Sequence, residues 1–169
     1  HKNSTQGDSK VAEIFKLFGV ETEYTSDGVL LTYNPKSVAE RIDIDLQNQP
    51  DLAQTIVVTA CLKGIPFRIS GLSTLRIKET DRISALISQL AKLGYTVRET
   101  EDATLESDSV RRSCDKAPAI ETFDDHRMAM AFAPASIVVP GITIEDAEVV
   151  SKSYPKYWDH LKLIGFNLS

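Results

Sequence analysis

Ile56-Val57-Val58-Thr59-Ala60-Cys61-Leu62-Lys63-Gly64-Ile65 is apolar on nearly every face of a helical projection. A helix of that kind is buried on all sides rather than laid on a surface, so other layers must enclose it. A similar run, Ala133-Pro134-Ala135-Ser136-Ile137-Val138-Val139-Pro140-Gly141-Ile142, predicts a second buried helix, which Pro134 would kink or delay by removing an internal donor. Between these runs the pattern changes. Ile83, Leu86, Ile87, Leu90 and Leu93 recur at helical spacing and predict an amphipathic helix with one face outward.

Working outward, an internal repeat emerges. Ile14-Phe15-Lys16-Leu17-Phe18-Gly19 matches Gln89-Leu90-Ala91-Lys92-Leu93-Gly94 and His160-Leu161-Lys162-Leu163-Ile164-Gly165, with glycines 75 and 71 residues apart. Each glycine suits the left-handed residue that ends a helix. Hairpins are expected over Val20 to Tyr33 and Tyr95 to Glu106, and short strands over Arg41–Leu46, Ile65–Ile69, Ala117–Thr122 and Ile142–Ile144. The order is helix, hairpin, strand, buried helix, strand, then the same again, then a last amphipathic helix. This predicts an α/β architecture of about two units of roughly 75 residues running into a third, helices inside and sheets outside. No long linker divides it, so residues 1–169 read as one domain. The start, His1-Lys2-Asn3-Ser4, lacks an initiator Met and reads as a fragment, so that domain is expected to be incomplete.

Composition bounds the function. The chain has 169 residues, 42% hydrophobic and 25% charged, with formal net charge −5. An acidic balance argues against a general nucleic-acid or membrane binder, yet leaves room for anion binding wherever cations are concentrated. No signal peptide or long apolar span occurs. Cys61 lies in an apolar run and Cys114 in a polar one, with no disulfide framework, so a cytoplasmic setting is expected. His1, His126 and His160 are dispersed and no Cys-x-x-Cys spacing exists, so no metal is expected. Walker and dinucleotide glycine fingerprints are absent, so no cofactor is expected either.

Polar clusters fall at corresponding ends of the units. Lys78-Glu79-Thr80-Asp81-Arg82 joins a strand to a helix. Taken alone it is a solvated first turn with Thr80 as N-cap and Glu79 and Arg82 as a local ion pair. Asp51 precedes the first buried helix, as an N-cap or as a fixed carboxylate able to accept a proton. Asp125-His126-Arg127 holds the same place before the second, where cations at the positive end of a helix make sense if an anion binds between them. Lys152 sits among serines before the last helix, as a solvated lysine or an anion ligand, and Asn3-Ser4-Thr5-Gln6-Gly7-Asp8 is a cap or a frayed end. Lys78, Arg82, Arg127 and Lys152, with His126, beside Asp51, Glu79 and Asp125, suit group transfer on anionic substrates: cations clamp, carboxylates move protons.

Taken in order, these segments resemble the 5-enolpyruvylshikimate-3-phosphate (EPSP) synthase family. Ser4-Thr5-Gln6-Gly7-Asp8, Pro50-Asp51, Leu75 to Arg82, Asp125 to Met130 and Lys152-Ser153-Tyr154-Pro155 each match a family motif, across essentially the whole chain. The related transferase acting on UDP-N-acetylglucosamine shares the fold but not the Lys-Glu-Thr-Asp-Arg and Asp-His-Arg signatures. The resemblance implies an inside-out α/β barrel of repeated βαβαββ units in each of two domains, with this chain most of the C-terminal one and the N-terminal domain missing. It implies transfer of the enolpyruvyl group of phosphoenolpyruvate to the 5-hydroxyl of shikimate 3-phosphate, on the route to chorismate and the aromatic amino acids. Asp51 would accept the hydroxyl proton, Lys78 would contact the shikimate substrate, and Glu79 would exchange a proton at the methylene carbon. Arg82, Arg127 and Lys152 would bind phosphoenolpyruvate, with His126 in catalytic support. At position 74, where some members carry an Asn that contacts the shikimate phosphate, this chain has Thr. The isolated chain is expected to be inactive. The alternatives are a non-catalytic anion-binding or assembly module of the same fold, and transfer to a different acceptor.

Overall fold

A computed structural model describes residues 6–112, 114 and 118–168. A 3₁₀ turn, Gly7–Lys10, leads into α1 (Val11–Ile14) and a second 3₁₀ turn, Phe15–Leu17. The first expected helix is thus a single α turn between tighter ones. Next come β1 (Phe18–Tyr24), β2 (Val29–Val38) and β3 (Ile42–Asp45), then a 3₁₀ turn Pro50–Leu52 that opens α2 (Ala53–Lys63). β4 (Phe67–Ser70), a 3₁₀ turn Ser73–Ile77 and α3 (Arg82–Lys92) follow. β5 (Arg98–Thr100) and β6 (Thr104–Ser107) form the second hairpin, then β7 (Ala119–Ile120) and α4 (His126–Phe132). The last elements are a 3₁₀ turn Ala133–Ile137, β8 (Thr143–Ile144), a 3₁₀ turn Ala147–Lys152 and α5 (Tyr157–Leu163).

Pairing sorts the strands into three sheets among the described residues: β1–β2, β3–β4–β6–β5 and β7–β8. β3 and β4 are parallel and joined through α2, and β7 and β8 are parallel and joined through α4. Both are therefore strand–helix–strand crossovers of the same kind. The β5–β6 hairpin adds antiparallel to β4 in the larger sheet. These sheets do not close into a barrel among the described residues. The four-residue β4 shows why one face is dry: Phe67 and Ile69 are fully buried, while Arg68 between them is exposed.

The core forms where the first apolar run said it would. Ile56, Val57, Val58, Ala60 and Cys61 of α2 are all at most 1% exposed. Burial also pushes the Cys61 thiol up to about 12, so it is a packing residue rather than a nucleophile. On α3, Ile83, Leu86, Leu90 and Leu93 are fully buried and Ile87 partly so. The second apolar run departs from expectation. α4 occupies 126–132, and at Pro134 the chain tightens into 3₁₀ geometry; beyond it Ile137 is 72% exposed. Pro134 cannot donate to the α-helical ladder, so the buried helix ends before most of the run begins. The last helix is also less covered than its pattern implies, since Leu161 is its one buried residue.

Gly19, Gly94 and Gly165 all have positive φ, as the repeat requires. At Gly94 (φ +88°) the constraint is double, because an added Cβ would lie 2.3 Å from the Arg112 carbonyl oxygen. Arg112 N–H also donates to Gly94 O at 2.8 Å, locking the two backbones together. Gly94→Ala is expected to lower stability by about 1–3 kcal/mol. Gly28→Ala, whose added Cβ meets no atom within 4 Å, is expected to stay within about 0.5 kcal/mol. Urea unfolding of both variants measures the contrast, and equal effects would contradict it.

Candidate active site

Apart from Gln6-Gly7-Asp8, which precedes the first strand, the motif residues lie beyond the carboxyl ends of the parallel strands. Asp51 follows β3, Lys78 to Arg82 follow β4, Asp125 to Arg127 follow β7, and Lys152 follows β8. Ligands of open α/β sheets gather at that end. The centre is Arg82, the first residue of α3, which is 1% exposed and among the largest fully buried side chains. Its Nε donates to Asp125 Oδ2 at 2.6 Å, Nη1 to Asp51 Oδ1 at 3.0 Å, and Nη2 to Glu79 Oε2 at 2.6 Å. Nη2 also reaches Asp125 Oδ1 at 3.4 Å. The run read in isolation as a solvated turn holds for Lys78 and Glu79, which are exposed, but not for Arg82: the Glu79–Arg82 pair exists, and its arginine is inside. Thr80 is not the cap either. Asp81 caps α3 by accepting from Ser84 N at 3.2 Å.

Asp125 is fully buried and does two things at once. It caps α4, accepting from Arg127 N at 2.8 Å, and it holds Arg82. Phe123 and Asp124 just before it both have positive φ (54° and 57°). Two consecutive non-glycine residues in that region are strained, and they turn the chain so that Asp125 is buried while the Asp124 side chain is 81% exposed.

Asp51 is shared by three cations. Arg127 Nη2 lies 3.1 Å from Oδ2, Arg82 Nη1 lies 3.0 Å from Oδ1, and Lys78 Nζ lies 3.4 Å from Oδ1. Arg127 Nη1 also donates to the Asp51 carbonyl at 3.0 Å. The Asp51 side chain makes no capping hydrogen bond to α2, so the N-cap alternative falls away. Burial pushes its carboxyl up, but Arg127, Lys78 and Arg82 together outweigh that and hold it below the usual carboxylate range.

Lys152 stands apart from this network. Its Nζ lies 2.7 Å from Asp124 Oδ1 and donates to the Asp124 carbonyl at 2.9 Å. Lys152 is thus tied to the α4 loop next to Asp125 and not to Asp51. His126 Nδ1 is buried with no hydrogen-bond partner among the described residues. Thr74 is exposed in the 3₁₀ turn Ser73–Ile77. Two acids had been given no role by pattern: Asp124, and Asp8 of the Gln6-Gly7-Asp8 motif, whose Oδ2 is 3.5 Å from Arg127 Nη2. The Asp124-Asp125 doublet before His126 was the available signal for the first, and Gln6-Gly7-Asp8 for the second. Asn3, Ser4 and Thr5 lie outside the described residues. Every cation of the cluster is thus paired with a carboxylate, on an open face where Lys78, Asp51 and Arg127 side chains remain about a third exposed. Among the described residues no group of three His, Cys, Asp or Glu is placed to hold a metal, and no helix is long and apolar enough to cross a membrane.

The family model for EPSP synthase (3-phosphoshikimate 1-carboxyvinyltransferase) matches residues 1–161. The chain belongs to the EPSP synthase family. A Bacteroides fragilis 3-phosphoshikimate 1-carboxyvinyltransferase is 52% identical over 167 residues, which is 99% of this chain and 40% of that protein. A chloroplastic one from Petunia hybrida is 36% identical over 165 residues, covering 95% of this chain and 31% of its own length. The solved EPSP synthase from Acinetobacter baumannii superposes with TM-score 0.65 at 24% identity, covering 89% of this chain and 37% of that one. That likeness supports the fold. The chain spans about 40% of the length of the Bacteroides relative.

Two outcomes are expected. Asp125→Ala leaves Arg82 buried without its one fully buried carboxylate partner and should lower stability by about 3–5 kcal/mol, the range for breaking a buried pair. A loss under about 1 kcal/mol in urea unfolding would contradict the buried network. For Asp51 the folded pKa lies below the unfolded one. Its pairing therefore contributes fully above the unfolded value of about 3.9 and is lost as pH falls through the folded pKa. The stability gap between the protein and Asp51→Asn should be constant near neutrality and shrink below about pH 4. A gap that widens on acidification would reverse that sign.

Proposed function

We propose that this chain forms the C-terminal half of a substrate cleft for enolpyruvyl transfer from phosphoenolpyruvate to the 5-hydroxyl of shikimate 3-phosphate. The supporting observation is the single connected network Lys78–Asp51–Arg127 and Asp51–Arg82–Glu79, with Asp125 beneath it, drawn from three separate loops. In this reading residues 1–169 are one incomplete domain, its two strand–helix–strand crossovers are two of the repeated units of an inside-out barrel, and the N-terminal domain supplies the other wall. The setting is cytoplasmic.

The chemistry follows from the charges. The acceptor hydroxyl gives its proton to Asp51 as its oxygen bonds to C2 of phosphoenolpyruvate, and C3 gains a proton. Loss of a proton from C3, with departure of phosphate from C2, restores the double bond. Glu79 is the carboxylate assigned to that C3 proton. Arg127 and Lys152 take the anionic groups of phosphoenolpyruvate, and Lys78 takes the shikimate substrate. Arg82 reaches an anion only where Glu79 yields its place, so its first task is to hold Asp51, Glu79 and Asp125 together. An Asp51 held below its usual range is a weak base. Substrate anions that draw Lys78 and Arg127 away remove the charges that depress it, so binding itself strengthens the base. His126, beside Arg127 with an unpartnered Nδ1, serves the same anion when that nitrogen carries the hydrogen and donates it.

The test uses the chain as it is. Phosphoenolpyruvate titrated into the ¹⁵N-labelled protein should shift signals of Arg127, Lys152 and Lys78, with weak affinity. Phosphoenolpyruvate plus shikimate 3-phosphate should release no phosphate, since one wall is absent. Shifts confined to other regions would remove the site assignment. Phosphate release by the chain alone would remove the half-site reading.

A further inference from the structure

The other end of the four-stranded sheet carries a second group of cations. Arg41 precedes β3, Arg98 opens β5, and Arg112 lies beyond β6. Together they surround a depression of about 320 Å³ floored by Pro66 and Phe67. That volume is at the lower end of the range for small-ligand sites. Asp51 and Lys78 follow the carboxyl ends of β3 and β4, whereas this depression meets their amino ends. The two sites are therefore at opposite ends of the same sheet.

Glu106 and Asp108 also line it but neutralise it only in part. Glu106 stands opposite Arg98 in the β5–β6 register, but its Oε1 is 3.1 Å from Arg68 Nε. Asp108 Oδ2 is 3.5 Å from Arg112 Nη2. Among the described residues this leaves Arg41 and Arg98 with no carboxylate within 4 Å. The Val110 amide first, and then the charges of Arg112 and Arg98, hold Asp108 below the usual carboxylate range, so Arg98 and Arg112 act on the same point. Arginine stays charged at any physiological pH, and like charges around one hollow repel. An anion between them relieves that repulsion.

The third arginine is set in place beforehand. Arg112 Nη1 donates to Thr96 Oγ1 at 3.1 Å and to Val110 O at 3.4 Å, and its backbone is fixed against Gly94. Thr96 Oγ1 accepts there and keeps its own hydrogen to donate. Planar guanidinium forks match phosphate oxygens in pairs. We propose that Arg41, Arg98 and Arg112 form a second anion site, separate from the motif cluster, which takes a small phosphate-bearing anion such as a phosphomonoester or pyrophosphate. It stands independently of the proposed transfer reaction, since no residue is shared between the two sites.

Inorganic phosphate and pyrophosphate titrated into the ¹⁵N-labelled chain at constant ionic strength test this. Saturable shifts are expected at Arg98, Ser107, Asp108 and Arg112, tighter for pyrophosphate. The double variant Arg41→Ser, Arg98→Ser should weaken binding by about tenfold or more, the loss of one or two charge-assisted hydrogen bonds. Signals of Arg127 and Lys152 should respond as before. The double lysine variant keeps the charge without the fork, and should fall between the two. Shifts that chloride reproduces at equal ionic strength would overturn the site, as would unchanged affinity in the serine variant. Shifts confined to Arg127 and Lys152 would do the same.

Discussion

A guanidinium with almost no water contact needs carboxylates on every side, and Arg82 has them. Its partners come from three places in the chain: Glu79 from its own turn, Asp51 from the turn after β3, and Asp125 from the start of α4. Burying such a charge is tolerable only while all of them hold. The two crossovers are thus fastened to one another by a polar clamp as well as by α2 packing on α4. Asp125 reinforces this by capping α4 with one oxygen while gripping Arg82 with the other.

That arrangement sets the electrostatic character of the face around it. Arg127, Lys78 and Arg82 converge on Asp51, and Lys152 rests on Asp124. The cluster is internally compensated, so in the proposed reading anions bind by exchange of partners rather than to bare positive potential. Exchange also changes the proton affinity of whatever carboxylate is released. Binding and basicity are coupled through the same ion pairs.

Periodicity and punctuation carried most of the fold. The amphipathic α3 was legible because Ile83, Leu86, Leu90 and Leu93 obey one period and one face, and all four are fully buried. The all-apolar run over α2 was legible for the same reason. The run after α4 was not, because apolar composition does not say whether a covering layer exists; Pro134 had already ended the helix, and Ile137 lies open. Motif order identified Asp51, Lys78, Glu79, Arg82 and Arg127 as belonging together. Burial was what the pattern could not give. A Lys-Glu-Thr-Asp-Arg run looks solvated until a distant Asp125 is brought beneath its arginine, and local spacing carries no trace of a partner 43 residues away.

The β1–β2 hairpin has no third strand among the described residues, and Val29, Leu30, Leu31 and Tyr33 of β2 are each more than half exposed. Pro35 and Lys36 guard only the far part of that strand. Such an edge offers unpaired backbone groups with which a further strand can pair. The formal charge of −5 makes copies of the chain repel one another. Because salt shortens the reach of that repulsion, raising the ionic strength weakens the barrier to pairing along this hairpin edge.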